Sequence, residues 1–160
     1  MNALVILAIL LGGLFALAYM TKRRFGVLGL ALCAGALLSS SWGATLTPWV
    51  ESQGVYFVAP PLSSVIAALL ILGPSILLLF SGPTYSSHLQ RILGSAAYAA
   101  LALVFLLQPI ATAFVFDESG LQLYNTVHGM SSIIIVIGIL LALGDILITR
   151  HPRGGKKSSH

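Results

Sequence analysis

Charged residues are scarce in this 160-residue chain: Asp, Glu, Lys and Arg together make up 8% of it, and only four of them are acidic. Soluble domains carry about 25% charged residues, so an ordinary solvated surface is excluded. Cysteine is nearly absent as well. Cys33 is the single one, which rules out a disulfide framework and a thiolate metal site built from this chain. The chain also lacks the patterns that carry catalysis. It has no HExxH, no glycine-rich phosphate loop, no paired carboxylates within an apolar segment and no Ser/His/Asp arrangement at membrane depth. Neither an enzyme nor a bound cofactor or metal is expected. Basic residues interleaved with aromatics are missing too, so nucleic acid is not an expected partner.

What is present is apolar sequence in long runs. Hydrophobic residues make up 58% of the chain and the mean hydropathy is +0.99. Runs of roughly 20 such residues read as transmembrane helices, since lipid leaves every backbone amide to be satisfied internally, and strict alternation of the barrel-strand kind is not seen. The expected fold is all-α, a polytopic membrane protein of five transmembrane helices in a single domain over residues 1–149, with a basic tail at residues 150–160.

The expected spans are Asn2 to Met20, Phe25 to Thr47 (stopping at Pro48), Leu62 to Phe80, Ile92 to Val115 and Met130 to Thr149. "TKRR" follows the first without a small-residue cleavage site, which reads as a retained anchor rather than a signal peptide. "FDESGLQLYNTVHG" reads as a polar loop before the fifth. With an odd number of spans, Lys22, Arg23, Arg24, Arg91, Arg150, Arg153, Lys156 and Lys157 all fall on one side, which the positive-inside rule makes cytoplasmic. Glu51, Asp117 and Glu118 fall on the other, with Trp42, Trp49, Tyr56, Phe57, Phe114 and Phe116 as an aromatic belt. The N-terminus is then outside and the C-terminus inside. The basic residues are placed to meet anionic lipid headgroups at the cytoplasmic face.

Small residues mark where helices can approach closely in lipid. In the second span Ala31, Gly35, Ser39 and Gly43 recur every four residues as one stripe, and the fourth span is rich in Gly, Ala and Ser near its start. These faces are expected to pack against other helices, either within the chain or in a homo-oligomer or larger membrane assembly.

The "TKRRFG" turn, the glycine- and alanine-rich second span, the proline-bearing outer connection and "HLQRILGSAAYAALALVFLL" together resemble the colicin V production protein family over residues 2–109. Members are small bacterial inner-membrane proteins. At the start of their fourth span they tend to show an acidic residue, then Arg-x-x-Gly, then further glycines. Arg91 and Gly94 match, whereas Gln90 stands in place of the acid and Tyr98 in place of a glycine. The resemblance implies the bacterial inner membrane as location, and toxin production or envelope stress as context.

A few polar or helix-breaking residues could carry chemistry. Pro74 and Pro109 would free the carbonyls of Leu70 and Phe105 and kink their helices. Gln108 can hydrogen-bond across helices for roughly 1 kcal/mol. His128 lies near Asp117 and Glu118 but lacks a defined ligand set. Asp145 is the one carboxylate inside an apolar run. It shares a helical face with Ser131, Gly138, Ala142 and Thr149, while Ile133, Ile137, Leu140 and Leu147 form a large apolar stripe suited to lipid. Asp145 should face the bundle interior near the cytoplasmic side, with Arg91 or the Lys22–Arg23–Arg24 cluster as partner. The expected function is a non-catalytic accessory or scaffold protein acting through helix contacts. The alternative is a small transporter or channel using Asp145 and the kinked third and fourth spans.

Overall fold

Runs of Leu, Ala, Ile and Val that must pair their own backbone amides have one economical solution, the helix. The computed structural model describes residues 3–57, 59–80, 85, 87–114 and 117–150, and all its regular structure is helical. The elements are α1 (Ala3–Thr21), α2 (Phe25–Ser52), α3 (Leu62–Phe80), α4 (His88–Ala113) and α5 (Glu118–Arg150). The tail beyond residue 150 lies outside the described residues. The helices α2, α3, α4 and α5 are long and apolar enough to cross a membrane, while α1 contributes a shorter apolar stretch, Val5–Thr21.

Three helices differ from the expected spans. α2 does not stop at Pro48 but runs through it to Ser52; the proline deprives the Ala44 carbonyl of its donor, and one further turn follows. Thr47 donates its hydroxyl to the Gly43 carbonyl at 2.8 Å in the same turn. α4 runs His88–Ala113, shifted toward its basic end relative to Ile92–Val115. The segment read as a polar loop before Met130 is helix: α5 starts at Glu118 and holds 33 residues. Asp117 caps it, its Oδ1 accepting from Gly120 N–H at 3.1 Å, which is the usual solution for a helix start. At 1.5 Å per residue α5 is about 50 Å long, well beyond a hydrocarbon core of about 30 Å. α3 and α4 also continue through Pro74 and Pro109.

α2 is the centre of the bundle, packed most extensively on α3 and also against α4 and α5, while α1 lies chiefly on α4. Gly35 permits the closest approach. A Cβ there would collide with Ile71 O and lie 2.7 Å from Leu70 O, so α2 and α3 meet backbone to backbone where Pro74 deprives the Leu70 carbonyl of its intrahelical donor. The buried core comprises Phe25, Leu28, Leu32, Leu79, Tyr98, Leu101, Ala102 and Ala142 among others. These residues concentrate in the half of the bundle nearest the turn at Lys22–Arg24. Polar ties link α3 to α4: Ser75 donates to the Tyr98 hydroxyl at 2.9 Å in the core, and Ser64 and Thr112 hydroxyls are 2.7 Å apart toward the other end.

Candidate functional site

The polar groups gather in two places, one at each end of the bundle. The first arises from the ends of the helices themselves. A helix leaves its first N–H groups and last carbonyls unpaired, and three helices terminate at the basic end. The α2 start is the neediest, because its N-cap is Arg24, whose side chain makes no capping bond. Two other elements supply the acceptors. Phe25 N–H donates to the Tyr85 hydroxyl at 3.0 Å, and Gly26 N–H donates to Asp145 Oδ2 at 3.0 Å. The Tyr85 hydroxyl in turn donates to the same carboxylate oxygen at 3.4 Å. A carboxylate at a helix N-terminus is favoured by the helix dipole as well as by the bond.

Glycine makes this approach possible. A Cβ on Gly26 would stand 2.6 Å from Ala142 O and 3.1 Å from Asp145 Oδ2, and one on Gly94 would stand 2.7 Å from the Tyr85 ring. Tyr85 is further held by its own N–H, which donates to Lys22 O at 2.9 Å, and by the Arg24 guanidinium 5.6 Å above its ring. Lys22 adopts φ 56, the left-handed conformation that often closes a helix C-terminus. Burial, and after it the Asp145 charge, pushes the Tyr85 pKa above its ordinary value, against a lowering by the Phe25 N–H. The hydroxyl is therefore neutral and able to donate at physiological pH.

Cations treat the two C-termini in the same way. Arg23 donates from Nε to Leu79 O at 2.9 Å and from a terminal nitrogen to Phe80 O at 3.0 Å, closing α3. Arg91 of α4 donates from Nε to Tyr19 O at 2.6 Å, closing α1, and lies 3.8 Å over the Tyr19 ring, which stacks on Phe15. Anion at the N-terminus and cations at the C-termini are each in the sense the dipole favours. The result is one interlock tying five elements together.

The second place is a crevice of about 630 Å³ between α2, α3 and α4 in the opposite half of the molecule. It gathers Gln108 and Pro109 with Ser39 and Gly43. The small-residue stripe thus divides: Ala31 and Gly35 are buried in helix contacts, whereas Ser39 and Gly43 line the crevice, and a Cβ on Gly43 would meet nothing within 4 Å. Among the described residues no charged one lines it. Asp145 and the crevice are about 20 Å apart along α2, counting the rise from Gly26 to Ser39.

Of the other residues singled out in the sequence, Asp145 and Arg91 share the basic end, each capping a different helix. His128 is exposed on α5 and stacks on Tyr124 with centroids 5.5 Å apart. Among the described residues no three of His, Cys, Asp and Glu converge as a metal site would require. On α5, Ala142 and Gly138 are buried, and Ile133, Ile137, Leu140 and Leu147 are exposed; the Thr149 side chain lies outside the described residues. Sequence reasoning missed Tyr85 and Gly26. The glycine two residues after the arginine cluster was the available signal for a close helix approach. For Tyr85, in a connection between spans, no local pattern pointed to a capping role.

Fold and polar sites together define an all-helical protein with helices suited to a bilayer and an interlock of helix caps at its basic end. No protein-family model, curated protein or solved structure matches the chain.

Proposed function

We propose that this chain is a five-span protein of the bacterial inner membrane, N-terminus outside and C-terminus cytoplasmic, that acts without catalysis as an accessory or scaffold subunit through its helix faces. The carrying observation is the use made of Asp145. The one carboxylate inside an apolar run is engaged at the start of α2 by Gly26 N–H and the Tyr85 hydroxyl, a placement that supports a structural role. The transport reading stands second, because Asp145 and the crevice beside Pro109 lie in opposite halves of the bundle, and Asp145 does not line the crevice.

The basic residues at the turn after α1 and at the start of α4 support a cytoplasmic placement of that end against anionic lipid. The broad apolar face of α5, with Ile133, Leu140 and Leu147 each more than half exposed, offers a surface to lipid, to a second copy or to another subunit. The resemblance to the colicin V production proteins would make the context toxin export or envelope stress.

Purification in native nanodiscs tests this reading. The expected particle holds more protein mass than one 16.8 kDa chain. A particle of strictly one chain and no other subunit at every concentration would refute the assembly role.

A further inference from the structure

The crevice between α2, α3 and α4 has a polarity gradient. Its floor is Ile71 and Phe105. Gly35 and Ile71 are in backbone contact, so Ser39 and Ser40 stand about 6 Å nearer the outer end, by the helical rise. Gln108 lies one turn below Thr112, which is tied to Ser64 in the first turn of α3. Gln108, Ser39 and Ser40 therefore ring the crevice at one level, above an apolar floor.

Several of these groups are unspent. Ser40 bonds back to Leu37 O and Thr112 to Pro109 O, but the Gln108 amide and the Ser39 and Ser63 hydroxyls have no side-chain hydrogen bond to any described residue. A side-chain amide that faces lipid from an exposed position gains from an occupant with matching groups. The described wall residues carry no charge, which disfavours an ion or a zwitterion. The volume of about 630 Å³ lies within the range of small-molecule sites, about 300–1,000 Å³. Exposed wall residues, Ser40, Ala44, Ser63 and Gln108, leave it open on the flank of the bundle, where lipid lies.

We propose that this crevice binds one neutral amphiphile taken from the bilayer, its uncharged hydroxyl- or ester-bearing head held by Gln108, Ser39 and Ser63 and the start of its apolar chain resting on Ile71 and Phe105. The inference rests on the membrane placement of the bundle and is independent of the scaffold role.

The test is photolabelling of the full chain in phospholipid nanodiscs doped with a diacylglycerol carrying a diazirine near its head, with adducts mapped by mass spectrometry. Adducts should concentrate on residues 36–47 and 105–112, and excess unlabelled diacylglycerol should compete them away. Gln108→Leu removes an amide, and Gly43→Leu fills the crevice from a position with open space around it. Each should cut labelling by at least about fivefold, the equivalent of one lost hydrogen bond, while the melting temperature stays near that of the parent. Ser63→Val is the further variant should Gly43→Leu lower stability. Labelling of Ile133 and Leu140 reports membrane insertion independently. Label on α5 with no enrichment at the crevice overturns the proposal alone, and so does chain-to-chain crosslinking by a photoreactive residue placed at position 108, which would make a second copy the occupant. Absence of label on both faces removes the membrane placement and the proposal with it.

Discussion

Asp145, near the end of the last helix, accepts a hydrogen bond from the backbone N–H of Gly26 at 3.0 Å, so the carboxylate of α5 caps α2 across a sequence separation of 119 residues. Helix capping is usually local, from the residue just before the first turn. Here Arg24 occupies that place and contributes no side-chain cap, and the function passes to a distant acid and to Tyr85. A change at Asp145 should therefore be felt at the start of α2. Asp145→Asn keeps an acceptor and loses the charge, and Asp145→Ala loses both. The expected costs are about 0.5–1 and about 1–2 kcal/mol respectively, read as lowered thermal stability in nanodiscs. Amide exchange should rise at Gly26 before it rises elsewhere.

Tyr85→Phe removes the hydroxyl that accepts from Phe25 and donates to Asp145. The expected loss is about 1–2 kcal/mol, since a backbone N–H is left without its partner. The pH dependence has a definite sign. The folded-state pKa of Tyr85 is raised above its ordinary 10.0, first by burial, so the contribution is intact below that value and falls as pH climbs from there through the raised value. Tyrosinate absorbance followed with thermal stability across this range should show the parent losing stability that Tyr85→Phe no longer has to lose.

Arg91→Lys should be nearly as harmful as Arg91→Gln. Lysine keeps the charge but lacks the planar guanidinium that lies 3.8 Å over the Tyr19 ring while bonding Tyr19 O. Each variant should loosen the C-terminal turn of α1, seen as faster amide exchange there. Equal protection in parent and Arg91→Lys would show that charge alone suffices.

Gly35→Ala and Gly43→Ala should behave as opposites although both belong to one stripe. The methyl at Gly35 runs into the Ile71 and Leu70 carbonyls of α3, and those atoms are backbone that cannot swing away. The methyl at Gly43 enters open space. Folded yield should collapse for the first and match the parent for the second, where replacing glycine within a helix adds a few tenths to about 1 kcal/mol.

The four-residue spacing of that stripe was legible from the sequence, but its division was not. A periodic pattern says which residues share a face; it does not say how far the facing helix extends, and α3 leaves Ser39 and Gly43 over a crevice rather than under a neighbour. The inward face of α5 was legible for a related reason: small residues and one acid on one side, large apolar residues on the other. Its start was not, since "ESGLQLYNTVH" has no apolar run to announce a helix, and the cap at Asp117 decides the matter. Pro48 misled because proline does not end these apolar helices: α3 and α4 likewise run through Pro74 and Pro109. The interlock was invisible because its bonds join side chains to backbone groups more than fifty residues away, at Leu79, Tyr19 and Gly26, and no local sequence pattern encodes them.

In the proposed scaffold role Asp145 holds the start of α2 to α5 through Gly26, and no ions need pass along it. The most direct measurement is to reconstitute the parent and Asp145→Asn in the same liposomes and record proton and potassium flux together with thermal stability. The expected result is flux no greater than in empty liposomes for both proteins and a lower melting temperature for Asp145→Asn. Flux through the parent that Asp145→Asn abolishes, with the melting temperature unchanged, would contradict it.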